Sequence, residues 1–427
     1  MTRQRRTMLN TATPVVLLRA IRHGSLCLAR TVGKLGIPVF VVDSNRWSPA
    51  VVSRYCTGFF QWDLETSSAG ASIRFLLEAV EKIGRRPILI PTTDASALLV
   101  AHHADALKEA YDFPAQRPGI ALALSNKASM FHLARQCGIP TPETFFPQCR
   151  ADLLPLLENA ALPVMLKALD YGVLRRTFSG DGKQIATSRD EVLLKYDQMQ
   201  NPEQPNLVIQ EYIPGGEDTI WMFNGYFNCE SECLFGMTGQ KIRQSPVYTG
   251  STCLGVCSRN DDVRALTLRF MKSIGYRGIL DIGYRYDARD GQYKVLDVNP
   301  RIGSTFRLFA GDGDMDVARA LYLDLTGQTI QSSSPRYGRK WMVEDCDLVS
   351  SIRYYRDGKL TVKDWLMSFR GVQETAFLSL RDPLPAITAF VSDAQEFAMR
   401  IFRRNGRASA GCASQPARGL LSRRLGK

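Results

Sequence analysis

The chain has 427 residues, of which 45% are hydrophobic and 22% are charged, a composition typical of a globular protein with a large core. No apolar run approaches the roughly 18 residues that are needed to cross a bilayer, which argues against a membrane-spanning protein. The formal net charge of +12 would suit a partner such as nucleic acid only if it lay on the folded body.

Most of the excess positive charge lies at the two ends of the chain. Residues 400–427 hold eight Lys or Arg residues, residues 1–6 hold three, and neither segment contains an acid. The intervening body is nearly neutral, so we expect no nucleic-acid partner. We interpret residues 405–427 as a solvated, disordered tail, with binding of anionic lipid or another polyanion as the alternative.

Ten cysteines accompany an N-terminus without a recognisable export signal. The apolar stretch 15–18 is too short for a signal segment and is predicted to be a strand. We therefore expect a cytoplasmic protein with reduced thiols. The spacings within the pairs Cys229 and Cys233, and Cys253 and Cys257, depart from those of common zinc sites, which favours free thiols over zinc.

The first 120 residues alternate between strands and helices, which predicts a parallel β-sheet. Ligands of such sheets lie beyond the carboxyl ends of the strands, so residues 23–25 and 92–94 are candidate substrate positions. An ordinary tight turn at 23–25 and a helix N-cap at 92–94 are the alternatives. No glycine-rich dinucleotide motif follows the first strand. The predicted elements are strands at 14–20, 37–43 and 87–91 and helices at 26–35 and 71–83.

From residue 126 onwards the pattern changes to short strands and glycine-containing turns. The first helix of this part is predicted to end at Gly138 and to be followed by a stiff, proline-containing link. Asp290 and Gly291 form a strong hairpin signal. We expect the last predicted helix to pack on the body, with a membrane surface as the alternative. The elements are helices at 126–137, 264–274, 361–369 and 384–403 and strands at 163–168, 206–213, 278–286 and 292–298.

A lysine interrupts the apolar strand 163–168. A buried ammonium group is costly unless an anion accompanies it, and a phosphate would suit Lys167. A lysine that reaches solvent from an edge strand is the alternative. Strand 206–213 ends in a Pro-Gly-Gly turn, where exposed backbone groups can bind an adenine and a nearby carboxylate can bind a ribose, although such turns are common.

The predicted hairpin carries three oxygen-bearing side chains. Asp297 and Asn299 are two residues apart on one strand and therefore point to the same face, which Asp281 on the partner strand can share. Two carboxylates and an amide oxygen suit a Mg²⁺ that bridges nucleotide phosphates. A solvated polar face is the alternative. Arg301 follows directly and could hold a carboxylate or an acyl phosphate.

These features occur in the order found in the ATP-grasp superfamily, which the chain resembles over about residues 120–310. Residues 163–167 resemble the family's lysine-bearing strand, and residues 210–213 resemble the hinge strand that holds adenine. Residues 297–301 resemble the family's metal motif, E-[IV]-N-P-R. The helix that begins at Lys127 and the link that follows it resemble the entry to the domain.

Three shorter segments resemble carboxylate–amine ligases of the D-aspartate ligase kind, namely residues 53–56, 241–244 and 250–251. The resemblance implies an α/β chain with the ATP-grasp fold, preceded by a parallel-sheet domain. The implied domains are the preceding domain at 1–120, the ATP-grasp domain at 121–330, a C-terminal extension at 331–404 and the tail at 405–427. Within the ATP-grasp domain, a lid subdomain at about 150–213 and a core at about 214–330 are implied.

The resemblance further implies an enzyme that uses ATP with Mg²⁺ or Mn²⁺ to join a small-molecule carboxylate to an amine through an acyl phosphate. A homodimer is left open. The implied nucleotide contacts are Lys127, Lys167, Lys183, Gln210, Glu211, Tyr212, Ile213, Glu217 and Asp218. The implied metal ligands are Asp281, Asp297 and Asn299, and the implied catalytic residues are Arg301, Lys241 and Arg243.

Two features depart from the family pattern. Asp281 and Asp297 stand where the family has glutamates, and each side chain is one methylene shorter. The implied phosphate-covering loop at 170–183 contains Gly172, Gly180 and Gly182 but no dense glycine run. The alternative function is therefore a catalytically silent nucleotide-binding module whose basic tail docks on a membrane or a polyanion.

Overall fold

The computed structural model describes residues 9–20, 22–159, 162–169, 174, 178, 182–201 and 203–395. Gly172 and Gly180 of the predicted lid loop, the predicted tail, and the end of the helix predicted at 384–403 lie outside these residues. The described chain forms three β-sheets with helices packed on them. The predicted α/β class is confirmed.

The N-terminal unit is a parallel sheet with the strand order β3-β2-β1-β4. Apolar side chains on both faces of β1 are buried under helices, as expected for a parallel sheet. Residues 23–25 belong to the first turn of a helix, so the tight turn predicted there is wrong. The elements are β1 (Val15–Leu18), β2 (Val39–Asp43), β3 (Gly58–Gln61) and β4 (Ile88–Pro91), with helices Arg22–Gly33, Ala69–Ile83, Asp94–His102 and Ala104–Leu107.

A second, antiparallel sheet has the strand order β5-β8-β6-β7. Lys167 lies on β6, between β7 and β8, so the alternative of an edge-strand lysine is excluded. The apolar face of this sheet packs on two helices. The elements are β5 (Thr144–Phe145), β6 (Val164–Ala168), β7 (Lys183–Ala186) and β8 (Leu207–Glu211), with helices Ile120–Ser125, Lys127–Gln136, Leu153–Asn159 and Arg189–Met199.

The largest sheet has seven strands in the order β13-β12-β9-β10-β11-β14-β15. The predicted hairpin is present, and Gly291 adopts a left-handed φ of 71° in its turn. The strands are β9 (Ile220–Phe227), β10 (Cys233–Ser245), β11 (Ser251–Cys257), β12 (Gly278–Asp287), β13 (Gln292–Asn299), β14 (Lys340–Met342) and β15 (Val372–Thr375). The helices are Asp261–Ile274, Val317–Leu325, Glu344–Arg356, Val362–Ser368 and residues 384–395.

The segment 331–404, expected as an extension, takes part in this sheet. Its strand β14 pairs with β11, and β15 pairs with β14. Buried ion pairs also fasten the segment to the rest of the chain: Arg30 donates to Asp382 at 2.9 Å, and Arg307 contacts Glu374 at 2.6 Å. Because removing one partner of a buried pair costs about 3–5 kcal/mol, these contacts hold the N-terminal unit and the large sheet together.

The described part of the last predicted helix, residues 384–395, packs on the body as expected, but through small residues. Ile387, Phe390 and Val391 are 58%, 45% and 52% exposed, whereas its inward contacts are made by Ala386 and Ala389. Within the described residues, no helix is long and apolar enough to cross a membrane. The nine cysteines in this part of the chain are free thiols.

Candidate functional site

A cleft of about 520 Å³ lies between the antiparallel sheet and the seven-stranded sheet. Lys167 and Lys183 reach it from the antiparallel sheet, and Lys127 reaches it from the start of its helix. Asp297 and Asn299 reach it from β13. Ammonium groups and a hairpin with oxygen ligands, far apart in the sequence, therefore line one space.

The three lysines that were predicted to bind phosphates form no ion pair within the described residues. Lys127 Nζ donates to the carbonyl of Ala168 at 2.9 Å, Lys183 Nζ donates to a backbone carbonyl at 2.7 Å, and Lys167 Nζ donates to the side-chain oxygen of Gln210. Burial, followed by repulsion from Lys183 and Lys127, lowers the pKa of Lys167 to about 7. A polyanion would relieve this repulsion and supply the missing counter-charges.

The predicted hinge residues 210–213 all line the cleft, but their side chains do different things. Gln210 is buried and bridges Lys167 to Thr144, to which its amide donates at 3.1 Å, so it orients the lysine. The carboxylate of Glu211 is held by Arg289 in an ion pair. The Glu211 side chain is therefore engaged by a charged partner.

Apolar side chains complete the walls of the cleft. Ile213 was predicted, whereas Met165, Ile220 and Leu296 were not. Met165 lies two residues before Lys167 on β6 and shares its face, so strand periodicity could have located it. These side chains can contact a flat, weakly polar group such as a purine.

A second cavity of about 590 Å³ adjoins the cleft, and Tyr212 and Arg285 line both. Glu217 lines the second cavity and accepts a hydrogen bond from the Tyr354 hydroxyl at 2.7 Å. Asp218 is not among the residues that line either space. The geometry thus favours Glu217 over Asp218, and it adds Tyr354, which no local sequence signal could have connected to Glu217.

The three predicted metal ligands converge at the open end of the hairpin. Asp281 pairs with Asn299 across the two strands, and the Asn299 amide lies 3.3 Å from Asp281 Oδ2 and 3.4 Å from Asp297 Oδ2. Burial, followed by repulsion from Asp297, raises the pKa of Asp281 to about 6. Two crowded carboxylates and an amide oxygen fit a hard divalent cation, which would remove this repulsion.

Glycines make room for the two carboxylates. A Cβ atom at Gly283 would lie 2.5 Å from Asp297 Oδ1, and one at Gly303 would lie 2.5 Å from Asp281 Oδ2. If a larger residue replaced either glycine, the neighbouring carboxylate would have to move. The shorter aspartates are therefore accommodated by a backbone that approaches them closely.

Arg301 lies beside the metal-ligand group and faces the N-terminal unit. Its guanidinium contacts Asp94 through two hydrogen bonds of 2.7 and 3.2 Å, and it lies 3.4 Å from Asn299 Oδ1. A cavity of about 200 Å³ joins Arg301 to Asp281 and Lys241. The predicted substrate position 92–94 therefore meets the candidate catalytic arginine, which already binds a carboxylate.

No family model matches the chain. Among curated proteins, D-aspartate ligase from Enterococcus faecium is 23% identical over 289 residues, which cover 66% of each chain. The N-terminal section of a carbamoyl phosphate synthase large chain from Methanopyrus kandleri is 24% identical over 214 residues, 44% of this chain and 37% of that one. The chain thus spans just under two thirds of the first relative and little more than a third of the second.

Solved structures share the architecture. N5-carboxyaminoimidazole synthetase from Staphylococcus aureus, complexed with ADP, superposes with a TM-score of 0.60 at 14% identity, covering 78% of this chain and 82% of that one. L-amino acid ligase from Bacillus licheniformis superposes with a TM-score of 0.56 at 14% identity, covering 78% and 79%. The chain has the ATP-grasp fold. The resemblance identified in the sequence is confirmed at this level.

Within the ATP-grasp core, Lys241 and Arg243 do not act together as predicted. A β-bulge separates them on β10, so the usual alternation is broken and Arg243 points away from the cleft. Arg243 forms a buried bidentate pair with Asp347 at 2.7 and 2.9 Å. Arg243 therefore fastens the helix Glu344–Arg356 to the sheet, and its guanidinium is not placed for the predicted catalytic role.

Lys241 stays within the ATP-grasp cleft. Its Nζ donates to the carbonyl of Gly250 at 2.9 Å, and it lines both the main cleft and the cavity beside Arg301. Burial lowers its pKa, while the nearby Asp297 carboxylate acts in the opposite direction. Lys241 is thus placed between the predicted metal ligands and the lysines of the cleft.

Proposed function

We propose that the chain is an ATP-dependent carboxylate–amine ligase that forms an amide through an acyl phosphate. The observation that carries the proposal is one cleft in which Lys127, Lys167 and Lys183, which form no ion pair within the described residues, line the same space as Asp297 and Asn299. The ATP-grasp fold and the similarity to D-aspartate ligase support the same chemistry. We place the protein in the cytoplasm, where its free thiols would stay reduced.

In this proposal the nucleotide lies along the cleft. Lys127, Lys167 and Lys183 hold its phosphates, because in the described part of the chain their ammonium groups donate only to uncharged oxygens. The apolar walls and the backbone of residues 211–213 hold the adenine. Glu217, oriented by Tyr354, accepts the ribose hydroxyls. Glu211 contributes through its backbone only, since its side chain is paired with Arg289.

The metal ligands in this proposal are Asp281, Asp297 and Asn299. Magnesium, or manganese in its place, would supply positive charge that offsets the charge developing on the transferred phosphoryl group. Burial, followed by the neighbouring Asp297 carboxylate, raises the pKa of Asp281, and a bound cation would offset both effects. The three side chains keep their oxygens at one end of the cleft, next to Lys241.

The chemistry then proceeds in two displacements. An oxygen of the substrate carboxylate attacks the γ-phosphorus of ATP, the bond to the bridging oxygen breaks, and ADP and an acyl phosphate form. The amine nitrogen next attacks the acyl carbon, phosphate leaves, and the nitrogen loses a proton. Arg301 holds the carboxylate and then the acyl phosphate, so the substrate must replace Asp94 on its guanidinium. Positioning and electrostatics carry the reaction.

The test is ADP release from the purified protein with a panel of carboxylates, each with and without a panel of amines, followed by mass measurement of the product. We expect release that depends on both substrates and a product lighter by water than their sum. Asp297→Ala should lower turnover by at least about a hundredfold, since even outer residues of metal sites cost 10- to 100-fold. Asp290→Ala, at the turn of the same hairpin, is the matched control.

The silent nucleotide-binding module predicts a different result. ATP would bind tightly, but no pair of substrates would release ADP, and Asp297→Ala would change binding alone. Release that depends on a carboxylate without any amine would indicate phosphorylation chemistry on the same fold. Either outcome would refute the ligase proposal.

A further inference from the structure

The helix Glu344–Arg356 has its apolar side turned outward. In an ordinary surface helix the apolar stripe faces the core and the polar side faces water. Here Leu348, Val349 and Ile352 are 52%, 67% and 48% exposed, and their spacing places them on one stripe. The residues that the helix buries are mostly polar, namely Asp347, Ser350, Ser351 and Tyr354.

The helix at 384–395 repeats this arrangement. It packs on the body through the small residues Ala386 and Ala389, and its large apolar side chains point outward. The segment before it exposes two further leucines. The exposed apolar residues of this region are Leu378, Leu380, Leu384, Ile387, Phe390 and Val391.

Contacts near the start of the first helix join it to the second helix and to the segment before it. Arg22 forms ion pairs with Asp345, near the start of the first helix, and with Asp393, near the end of the described part of the second. The backbone amide of Leu378 donates to Glu344 at 2.7 Å. We call the exposed apolar residues of 348–352 and 378–391 together the C-terminal apolar face.

Exposed basic residues outnumber exposed acids in the part of the chain that carries the C-terminal apolar face. The exposed basic side chains between residues 348 and 395 are Arg353, Arg356, Lys359, Lys363, Arg370 and Arg381, whereas the exposed acids are Asp357 and Asp364. The other acids of this stretch are engaged by arginines, as in the pairs of Glu374, Asp382 and Asp393. The sequence that follows, residues 400–427, adds eight basic residues and no acid.

We propose that the C-terminal apolar face docks on an anionic phospholipid bilayer. Exposed leucine, isoleucine and phenylalanine side chains beside arginines and lysines are the combination that binds at the boundary between lipid headgroups and acyl chains. A second copy of this chain fits less well, because a symmetric interface would bring its own basic residues against each other. The proposal goes beyond the ligase function and does not depend on it.

The test is co-sedimentation of the full chain with vesicles. We expect binding to vesicles of phosphatidylglycerol and phosphatidylcholine, weaker binding at high salt, and little binding to phosphatidylcholine alone. The double variant Leu348→Ser with Ile352→Ser should lower the partition coefficient at least about tenfold. Leu194→Ser is the matched control, because Leu194 is 58% exposed on the helix Arg189–Met199, which packs on the antiparallel sheet and lies outside the C-terminal apolar face.

Three outcomes would overturn the proposal. The first is binding by the double variant equal to that of the parent chain, with an unchanged melting temperature as proof of folding; it would assign the binding to other residues. The second is binding that is abolished by removal of residues 405–427 but kept by the double variant; it would assign the binding to the tail. The third is a dimer in analytical ultracentrifugation without lipid that the double variant dissociates; it would make the face a subunit interface.

Discussion

Nucleotide binding should be accompanied by proton uptake at Lys167. In the free protein, burial and two neighbouring lysines lower the pKa of this ammonium group to about 7. Bound phosphates would raise that pKa again, because they favour the charged form. The contribution of Lys167 to affinity is therefore complete below pH 7 and is lost as the pH rises above it.

The magnitude follows from the titration of one group. At pH 8 a lysine with a pKa of about 7 is protonated in about a tenth of the molecules, so binding should take up about 0.9 proton. Between pH 7 and pH 8 the Kd for the nucleotide should rise about fivefold through this residue, because the protonated fraction of Lys167 falls from about one half to about one tenth. At pH 6 the same group should take up only about 0.1 proton.

Asp281 should produce the opposite signal when a divalent cation accompanies the nucleotide. Its pKa of about 6 means that half of the molecules carry the proton at pH 6 and about a hundredth at pH 8. Cation binding at pH 6 should thus release about 0.5 proton, which exceeds the uptake at Lys167. The net proton change should reverse between pH 6 and pH 8.

Calorimetry in buffers of different ionisation enthalpy measures these protons. ADP and ATP should be titrated into the parent chain and into Lys167→Met, with and without Mg²⁺, at pH 6 and pH 8. Subtracting the proton uptake measured with the variant removes the contribution from ionisation of the nucleotide itself. Equal proton uptake by the parent and the variant at pH 8 would refute the assignment of Lys167 to the phosphates.

Three further predictions concern residues outside the phosphate site. Tyr354→Phe removes a hydrogen bond to the Glu217 carboxylate that is worth about 1.5 kcal/mol. The variant should raise the KM for ATP about tenfold and leave the KM for 2′,3′-dideoxy-ATP unchanged. Equal effects on both nucleotides would exclude a role of Glu217 in binding the ribose. Arg243→Met leaves Asp347 buried without its partner and should lower the free energy of unfolding by about 3–5 kcal/mol, which a lower melting temperature would show. The control Arg353→Met, at an exposed ion pair, should change the melting temperature little. An unchanged melting temperature with lost turnover in Arg243→Met would instead indicate that Arg243 takes part in catalysis. Deleting residues 405–427 should leave turnover with soluble substrates unchanged, and a lost turnover would contradict the interpretation of this segment as a tail.

The fold could be predicted where local chemistry dictates it. The apolar strands at 14–20 and 37–43 predicted the parallel sheet, because only strands buried on both faces are apolar throughout. The pair Asp290 and Gly291 predicted the hairpin, because its turn needs a residue with a positive φ. In both cases the decisive interaction lies within a few residues.

The errors arose where a distant partner or a local irregularity decides the structure. Arg243 was expected beside Lys241, but a single bulged residue turned it towards Asp347, more than a hundred residues away. The role of Tyr354 beside Glu217 likewise depends on a contact across 137 positions. The helix at 384–395 was expected to pack on the body, but its composition does not say which face meets the core, and Ile387 is exposed.

The family resemblance supplied the order of the site residues, and the structure supplies their distances. Lys167 and Asp297 are 130 residues apart in the sequence and line one cleft. No periodicity within either strand could have shown this. The same holds for Asp94, which reaches Arg301 from the start of the helix Asp94–His102 in the N-terminal unit.

The most direct measurement is a crystal structure of the chain with a non-hydrolysable ATP analogue and Mn²⁺, with the metal located by its anomalous signal. We expect a metal peak about 2.0–2.3 Å from oxygens of Asp281, Asp297 and Asn299, and phosphate oxygens within hydrogen-bond distance of Lys127 and Lys167. A nucleotide bound elsewhere, or a metal that these side chains do not contact, would contradict the proposed site.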